Sequence, residues 1–222
     1  MKAQDVDIII TNSYRVLWTF RAVEALRRLY PDNRIIVVDD KCIPCDWQLD
    51  FIAERHGVDV VRMPERKGAG RAIDAGMREA TSKWVLTHDH GVTLTEREPR
   101  LIKRLLEQVT PGVAAVGKKL KNLRGEEYLG PAVYCDLAIW DREVIVEHDL
   151  SFKLTTLQFS DGSSFWGCTT ARYLCWQLGR LGYKQVFVDL DAYHTHEHAR
   201  GKHSKEFGSP HEDVDFDPGV AT

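Results

Sequence analysis

Three side chains of the kinds that bind metal ions stand in a row at His88, Asp89 and His90. They follow the run "KWVLT" (83–87) and precede Gly91. A short run of apolar and β-branched residues is typical of a buried strand. Carboxylate and imidazole together suit Mn²⁺, and hard oxygen ligands also suit Mg²⁺. We therefore favour a strand that delivers ligands to a site, with an ordinary polar loop as the alternative.

A second polar strand end lies upstream, where "RIIVVDD" (34–40) finishes on Asp39 and Asp40. The residues around both ends alternate between strand and helix patterns. Strands are predicted at 6–11, 34–40, 58–63 and 83–89, and helices at 16–30, 47–57 and 68–81. This β-α-β order implies a parallel sheet with right-handed crossovers. Ligands of such sheets bind beyond the carboxyl ends of the strands, so both polar ends should share one edge.

The second half of the chain has a less regular pattern. An amphipathic helix is predicted over 96–112, followed by a strand, a basic loop, a further strand with a short helix, and a helix over 169–183. A last strand over 184–198 runs into His194, His196 and His198. The tail over 201–222 is polar and acidic, which predicts mobility.

Composition and charge narrow the class of protein. Hydrophobic residues make up 43% of the 222 residues and charged residues 28%, which is ordinary for a soluble globular protein. The net charge of −3 gives no overall attraction to nucleic acid or an anionic membrane. No apolar run approaches the roughly 18 residues of a membrane span. Five cysteines, an odd number, indicate reduced thiols and a cytoplasmic location.

The order of motifs resembles the family-two glycosyltransferases with the GT-A fold. Members have a strand ending in an acidic pair, here "IIVVDD", and then an N-x-G-x-x-x-A-x-N-x-G segment. That segment here is "RKGAGRAIDAGMREAT" (66–81). A strand ending in Asp-x-Asp follows, here "WVLTHDHGV", and later a Gly-Tyr pair precedes a strand ending in histidine, here "LGRLGYK" and "DAYH". The resemblance covers 5–95 well and 130–196 loosely.

The resemblance implies an α/β GT-A fold, with Rossmann-like β-α-β units, a mainly parallel central sheet and a nucleotide-sugar donor. Asp39 matches the aspartate that contacts the donor base, with Asp40 beside it, and the backbone of Thr11 matches another base contact. In the next loop, Gly68 allows close approach to the nucleotide. The diphosphate is expected to meet the cations of the same loop, which are Arg66, Lys67 and Arg71. Asp74 replaces an asparagine that braces the donor pocket in the family.

For the metal, the resemblance places Asp89 at the first aspartate and His194 at a histidine near the end of the domain. Gly91 stands where the second aspartate should be. A slip of one residue would instead give His88-x-His90, and His196 is the alternative to His194. The expected cation is Mn²⁺ or Mg²⁺, which would neutralise charge on the leaving phosphate.

The catalytic base does not follow the family pattern. Inverting members carry an acidic motif before the Gly-Tyr helix, but this chain has Thr169, Thr170 and Ala171 there. The nearest acid upstream is Asp161, which we take as the candidate base for an inverting mechanism.

We expect one GT-A domain over 1–200, with a nucleotide-binding half (1–95) and an acceptor half (96–200). The predicted function is transfer of a hexose from a nucleotide sugar, with UDP favoured, to a nucleic acid, protein or glycan. The basic stretch 117–125 is one candidate acceptor surface. The alternatives are a degenerate protein that only binds nucleotide sugars, and a sugar-nucleotide nucleotidyltransferase.

Overall fold

The computed structural model describes residues 2–13, 15–42, 46–95, 99–120, 130–153, 155–158, 164–168 and 170–196. The strands are β1 (Val6–Asn12), β2 (Ile35–Asp39), β3 (Asp59–Arg62), β4 (Trp84–Asp89), β5 (Val92–Leu94), β6 (Val113–Lys119), β7 (Val133–Asp141), β8 (Thr155–Gln158), β9 (Ser164–Cys168), β10 (Lys184–Phe187) and β11 (His194–His196). The helices are α1 (Val16–Leu29), α2 (Asp46–His56), α3 (Ala69–Glu79), α4 (Leu101–Leu106), α5 (Arg142–Glu147) and α6 (Thr170–Arg180).

Seven strands form the central sheet in the order β10-β6-β7-β4-β1-β2-β3. All pairs in it are parallel except those of β7, which runs antiparallel to both β4 and β6. The predicted mainly parallel α/β sheet is therefore confirmed. The smaller pairs β5–β11 and β8–β9 are antiparallel.

Helices cover both faces of this sheet, which explains the continuous apolar runs of the inner strands. Every residue of β1 and of β2 is buried. One core packs α1, α2 and α4 against the sheet through residues such as Leu26, Leu49 and Leu101. The other packs α3, α5 and α6, through residues such as Ile73 and Leu174.

Helix α3 lies very close to β1, and a glycine makes this possible. A Cβ atom built on Gly76 would lie 2.8 Å from Cγ2 of Ile9. A real side chain at Gly76 would push α3 off the sheet, so this glycine sets the distance between helix and sheet. The start of α3 is thereby held close to the carboxyl ends of β1 and β4.

Helix α4 is much shorter than the predicted span over 96–112, since it covers only Leu101–Leu106. It begins after Pro99, and the residue before a proline disfavours the helical conformation. The same effect of Pro111, together with β-branched Thr110, opposes helix at the other end. Residues 96–98 of the predicted helix lie outside the described part of the chain.

The predicted last strand over 184–198 is two short strands. Strand β10 ends at Phe187 and pairs with β6 in the central sheet. The chain then turns, with the backbone N–H of Asp191 donating to the Asp189 side chain at 3.0 Å. Strand β11 pairs instead with β5, opposite Val92–Leu94. This turn brings His194 next to the strand that follows the His88–His90 segment.

The sequence predicted that all thiols are reduced, and the structure differs from this prediction at one cysteine. Cys135 and Cys175 are free, whereas Cys42 is disulfide-bonded, so the expectation is wrong at that position. The cytoplasmic location stays a prediction.

Within the described residues, no helix has the length and apolar character required to cross a membrane.

Candidate donor site at the carboxyl edge of the sheet

The polar strand ends predicted to share one edge do lie side by side. Asn12 at the end of β1 pairs with Asp39 of β2, and Thr11 pairs with Asp89 of β4. Because all three strands run in the same direction, their last residues converge on one place. The sequence pattern therefore located this edge correctly.

Asp39 ties the ends of β1 and β2 together. Its Oδ1 accepts from Nδ2 of Asn12 at 2.8 Å, and its Oδ2 accepts from the backbone N–H of Cys42 at 3.0 Å. The hydroxyl of Thr19 in turn donates to Oδ1 of Asn12 at 2.8 Å. Asp39 is 2% exposed and holds the turn after β2 in place. Its predicted contact with the donor base stays a prediction.

Asp40 fastens the loop between β3 and α3. Its two oxygens accept from the backbone N–H groups of Lys67 and Gly68 at 2.7 and 2.9 Å. Nε of Arg66 lies 4.0 Å from Oδ2. The carboxylate itself is buried. Asp40 thus fixes the backbone of the basic loop at the edge where β2 ends.

The three predicted phosphate-binding cations, Arg66 and Lys67 of this loop and Arg71 in the first turn of α3, remain partly accessible to solvent. The side chains of Arg66, Lys67 and Arg71 are 43%, 50% and 40% exposed. Lys67 pairs with Glu65 at 2.7 Å, and Nη1 of Arg71 lies 3.9 Å from the carboxylate of Asp74. The loop therefore presents positive charge beside the strand ends, as an anionic ligand requires.

Asp74 links α3 to the segment after α5. Its carboxylate accepts from the hydroxyl of Ser151 at 2.5 Å and from the backbone N–H of Phe152 at 2.8 Å. Burial raises the pKa of Asp74, and these hydrogen bonds and the charges of Arg71 and Arg78 oppose that rise. The structure thus shows a brace between the two predicted halves, and the proposed contact of Asp74 with the donor stays a prediction.

Asp89 ends β4, and His90 begins the turn that follows it. Oδ1 of Asp89 accepts from the backbone N–H of Gly91 at 2.6 Å. Nδ1 of His90 lies 3.0 Å from the carbonyl oxygen of Thr11, and its ring meets Trp18 edge-on at 6.3 Å. Because a carbonyl only accepts, Nδ1 of neutral His90 carries the proton, and Nε2 keeps a lone pair.

His194 is held in the same way. Its Nδ1 lies 2.9 Å from the carbonyl oxygen of Leu190, so Nδ1 donates and Nε2 can act as a ligand. Such a bond from the second ring nitrogen is the usual support of a metal-binding histidine. The side chain of His196, the alternative ligand, lies outside the described part of the structure.

His88 is fully enclosed and is kept neutral. Its side chain is 2% exposed, and neither ring nitrogen has a hydrogen-bond partner among the described residues. Burial lowers the pKa of His88 to about 4, and the charge of Asp89 opposes that shift. A buried imidazole without partners points to a group that the protein atoms alone do not supply.

A small pocket of about 60 Å³ opens between β1, β4, β7 and the start of α3. Its walls include Thr11, Ile73, Thr87, His88, Asp89 and Asp136. Burial raises the pKa of the Cys135 thiol, and the nearby charges of Asp136 and Asp89 raise it further. The pocket therefore carries two carboxylates rather than one.

Asp136 is the site residue that the sequence pattern missed. In "GPAVYCDLAIW" it stands near the start of a strand, whereas the rule for parallel strands points only to their carboxyl ends. Because β7 runs antiparallel to β4, its beginning lies at the carboxyl edge of the others. An acid at the start of a strand that follows the His88–His90 segment in the sequence would have been the only available signal.

The predicted catalytic base and the basic stretch 117–125 are not among the described residues that line this pocket. Asp161, the candidate base, lies outside the described residues, as do Lys121 and Arg124 of the basic stretch. Lys118 of that stretch pairs with Asp191. Of the three residues where the family acid was expected, Ala171 lies near the start of α6 and is buried.

The side chains at this edge of the sheet are of the kinds that bind a divalent cation, although the described residues do not form a complete set of metal ligands. In the described parts of the chain, no three His, Cys, Asp or Glu side chains converge on a possible metal position. Two carboxylates at one pocket and an imidazole with an oriented lone pair nevertheless match the oxygen and nitrogen ligands of Mn²⁺, and the carboxylates match those of Mg²⁺.

The sequence matches a family model named glycosyl transferase family 2 over residues 7–125, which is more than half of the chain. The chain therefore belongs to this family. A search of curated proteins found no match.

Solved structures with the same fold include several GT-A glycosyltransferases. The mannosyltransferase PcManGT from Pyrobaculum calidifontis, in complex with GDP-Man and Mn²⁺, has a TM-score of 0.66 at 17% identity. TarS from S. aureus, in complex with UDP-GlcNAc, has 0.61 at 12%, and glucosyl-3-phosphoglycerate synthase from Mycobacterium tuberculosis, with Mn²⁺ and UDP, has 0.57 at 15%.

These alignments cover most of the chain but less of the other proteins. They include 90%, 90% and 91% of this chain, and 59%, 60% and 73% of the respective structures. The chain thus spans about three-fifths of the first two. At these identities the likeness establishes the GT-A fold.

Proposed function

We propose that this protein is a glycosyltransferase that takes a sugar from a nucleotide-sugar donor and passes it to an acceptor. The observation that carries the proposal is the meeting of Asp39, Asp40 and Asp89 at one sheet edge, beside the basic loop that Asp40 fastens. Membership of glycosyl transferase family 2 supports it.

The predicted site residues form two groups, one that would contact the nucleotide base and one that would contact the diphosphate. The base would lie at the ends of β1 and β2, against the backbone of Thr11 and near Asp39. The diphosphate would lie against the start of α3, within reach of Arg66, Lys67 and Arg71. These cations suit phosphate oxygens because charge-assisted hydrogen bonds are stronger than neutral ones.

A divalent cation belongs to this proposal, and Asp89 and His194 are the residues expected to hold it. Such an ion, when bound, offsets negative charge on the departing nucleoside diphosphate. The hydrogen bond from His194 to Leu190 orients that ring for the role. A mannosyltransferase with a similar fold was solved in complex with Mn²⁺. We would therefore test Mn²⁺ before Mg²⁺.

The finer properties follow from the resemblance. We infer transfer of a hexose with inversion, with Asp161 as the base that removes a proton from the acceptor hydroxyl. Both UDP-sugars and GDP-sugars should be tested as donors, because structures with a similar fold were solved with one or the other. We infer that the acceptor is a nucleic acid, a protein or a glycan.

The test is release of UDP or GDP from a panel of nucleotide sugars, with Mn²⁺ and with chelator. We expect slow hydrolysis of at least one donor that needs the ion and is abolished in Asp89→Ala. Asp32→Ala is the matched control, because exposed Asp32 precedes β2 and lies at the opposite edge of the sheet. Hydrolysis by Asp89→Ala at the wild-type rate would refute the metal role.

A second candidate is a protein that binds the nucleotide sugar without transferring it. The specific observation in its favour is the absence of any acid at residues 169–171, where inverting relatives of the resembled family keep their base. Donor binding by calorimetry with no hydrolysis and no transfer would select this candidate.

A further inference from the structure

The first turn of α6 contains a buried positive charge with two unused hydrogen-bond donors. Arg172 is the third residue of this helix and is 0% exposed. Its Nη1 donates to the carbonyl oxygen of Gly130 at 3.0 Å, but its Nε and Nη2 have no hydrogen-bond partner among the described residues. A buried charge is costly unless it is paired and hydrogen-bonded. The guanidinium therefore calls for an anionic partner.

The two unpartnered nitrogens form one edge of the guanidinium plane. Nε and Nη2 of an arginine present parallel N–H groups, and this fork matches two oxygens of a carboxylate or of a phosphate. Gly130 is bonded to Nη1, the nitrogen outside this edge. The remaining edge of Arg172 thus has the form of a bidentate anion site.

The helix that carries Arg172 also favours an anion at this end. Peptide dipoles give the N-terminus of a helix a partial positive charge, and its first N–H groups lack partners within the helix. The first turn of α6 contains no acidic residue that would offset this charge. Because side chains of a helix lean toward its N-terminus, the guanidinium adds its own charge at the same end.

The fold places this end of α6 at the edge of the sheet where the donor site lies. Strand β10 begins at Lys184, shortly after α6 ends at Arg180, and runs parallel to β6. Strand β6 has the direction of β4, since both are antiparallel to β7. The N-terminus of α6 therefore points to the carboxyl edge. Gly130, which contacts Arg172, agrees with this position because it precedes the start of β7 at that edge.

A groove of about 380 Å³ lies along α6 beside Arg172. Its walls include Cys175 and Trp176, which follow Arg172 by three and four residues and so share its side of the helix. Another part of the wall is Pro131, next to the Gly130 carbonyl that Arg172 binds. The groove therefore gives a ligand room within about one helical turn of the buried fork.

We propose that Arg172 binds a carboxylate or phosphate group of the acceptor, so that the acceptor of this glycosyltransferase is anionic. The inference rests on the proposed function and adds the chemical class of its acceptor. Helix α3, where the donor diphosphate is expected, contacts β1 and β2, whereas α6 contacts β7 and β10. Strand β4 lies between these two pairs of strands. Arg172 is therefore on the acceptor side of the donor site.

The test uses inorganic phosphate and acetate as probes, titrated into the full chain at constant ionic strength and followed by calorimetry. Wild type, Arg172→Met and Arg172→Lys are compared, each with and without saturating UDP or GDP. Arg142→Met is the matched control. Arg142 also lies in the first turn of a helix and donates to a backbone carbonyl, that of Met77, at 2.8 Å. It follows the end of β7, at the opposite edge of the sheet.

Wild type should bind at least one of the two anions. Arg172→Met should bind it about ten-fold more weakly or worse, the scale of lost hydrogen bonds to a charged group. Arg172→Lys keeps the charge without the fork and should lie between the two. Arg142→Met should bind as wild type does. No binding of either anion by wild type, or wild-type affinity in Arg172→Met, would overturn the inference.

Thermal unfolding separates a binding residue from a purely structural one. Without added anion, Arg172→Met should unfold at the wild-type temperature or above, because an apolar side chain replaces an unpaired buried charge. The anion should raise the unfolding temperature of wild type more than that of the variant. Equal destabilisation of Arg172→Met with and without anion would contradict the proposal. If Arg172→Met does not fold, the comparison of Arg172→Lys with wild type decides in the same way.

The nucleotide series distinguishes the acceptor from the donor. Anion binding that depends on Arg172 should persist with UDP or GDP bound, and its displacement by the nucleotide would assign Arg172 to the donor diphosphate and contradict the proposal. If a donor is hydrolysed while Arg172→Met binds both anions as wild type does, only the anionic acceptor fails. If the anion binds through Arg172 but no nucleotide is bound and no donor is hydrolysed, the proposed function fails and the anion site stands.

Discussion

Asp40 holds Gly68, the residue that precedes α3, against the end of β2, since its Oδ2 accepts the backbone N–H of Gly68 at 2.9 Å. Its other oxygen accepts the N–H of Lys67 at 2.7 Å. One buried carboxylate therefore accepts from two backbone N–H groups just before the helix, where a backbone N–H has no partner within the helix. The position of the basic loop depends on this contact.

Asp40→Asn should loosen that loop and weaken donor binding. The amide can accept only one of the two N–H groups, and its own N–H₂ would face the other donor. We expect a loss of about 1–3 kcal/mol in the free energy of unfolding, the usual cost of leaving a buried polar group unpaired. Urea denaturation measures the first effect and calorimetry with a UDP-sugar or GDP-sugar measures the second.

The matched control for Asp40→Asn is Asp50→Asn on α2. Asp50 pairs with Arg62 at the protein surface, with 68% of its side chain exposed. Exposed pairs contribute at most about 1 kcal/mol, so this variant should stay near wild type in both measurements. Equal effects of the two substitutions would show that Asp40 is not a special support of the loop.

Gly68 should tolerate no other residue without strain. Its φ of 83° and ψ of 165° lie in a region that is almost restricted to glycine. Gly68→Ala should cost about 1–3 kcal/mol of unfolding free energy and reduce donor affinity, because the loop must shift. Thermal or urea unfolding gives the first quantity and calorimetry the second.

Gly179→Ala in α6 is the opposite case and serves as the comparison. A Cβ there would meet no atom within 4 Å, and alanine favours a helix over glycine by up to about 1 kcal/mol. This variant should be as stable as wild type or more so. If Gly68→Ala behaved in the same way, the described loop conformation would be wrong.

The charge of Asp74 should reduce stability at neutral pH. Its folded-state pKa is raised, chiefly by burial, so the stabilising contribution belongs to the neutral form. That contribution is complete below the unfolded pKa of about 3.9 and is lost as pH rises through the higher folded value. Asp74→Asn can still accept from Phe152 and can donate to Ser151, so it keeps the brace without the charge.

The unfolding free energy of Asp74→Asn should therefore increase relative to wild type between about pH 4 and pH 7. Asp74→Ala removes the acceptor of both bonds and should be less stable than Asp74→Asn at every pH, by about 1–3 kcal/mol. Urea denaturation at several pH values measures both. A difference between wild type and Asp74→Asn that does not change with pH would contradict the raised pKa.

The first half of the fold could be predicted because its signals are local. Buried strands such as β1 and β2 are continuous apolar runs, and the helices between them have a clear apolar period. The positions of Asp39, Asp40 and Asp89 then follow from the rule that parallel strands bring their carboxyl ends together.

The second half depended on contacts that no local pattern shows. The direction of β7, which brings Asp136 to the pocket, is set by its neighbours β4 and β6. The separation of β10 from β11, which sets the position of His194, depends on pairing with β5. The backbone bonds of Asp40 and the brace made by Asp74 likewise join segments 27 and more residues apart.

The most direct test of the account is a crystal structure with Mn²⁺ and a UDP-sugar or GDP-sugar. The account predicts the base at the ends of β1 and β2, near Thr11 and Asp39. It predicts the diphosphate at the start of α3 beside Arg66 and Arg71, with the ion against Asp89. A nucleotide bound elsewhere on the protein, or an ion with no contact to Asp89, would contradict it.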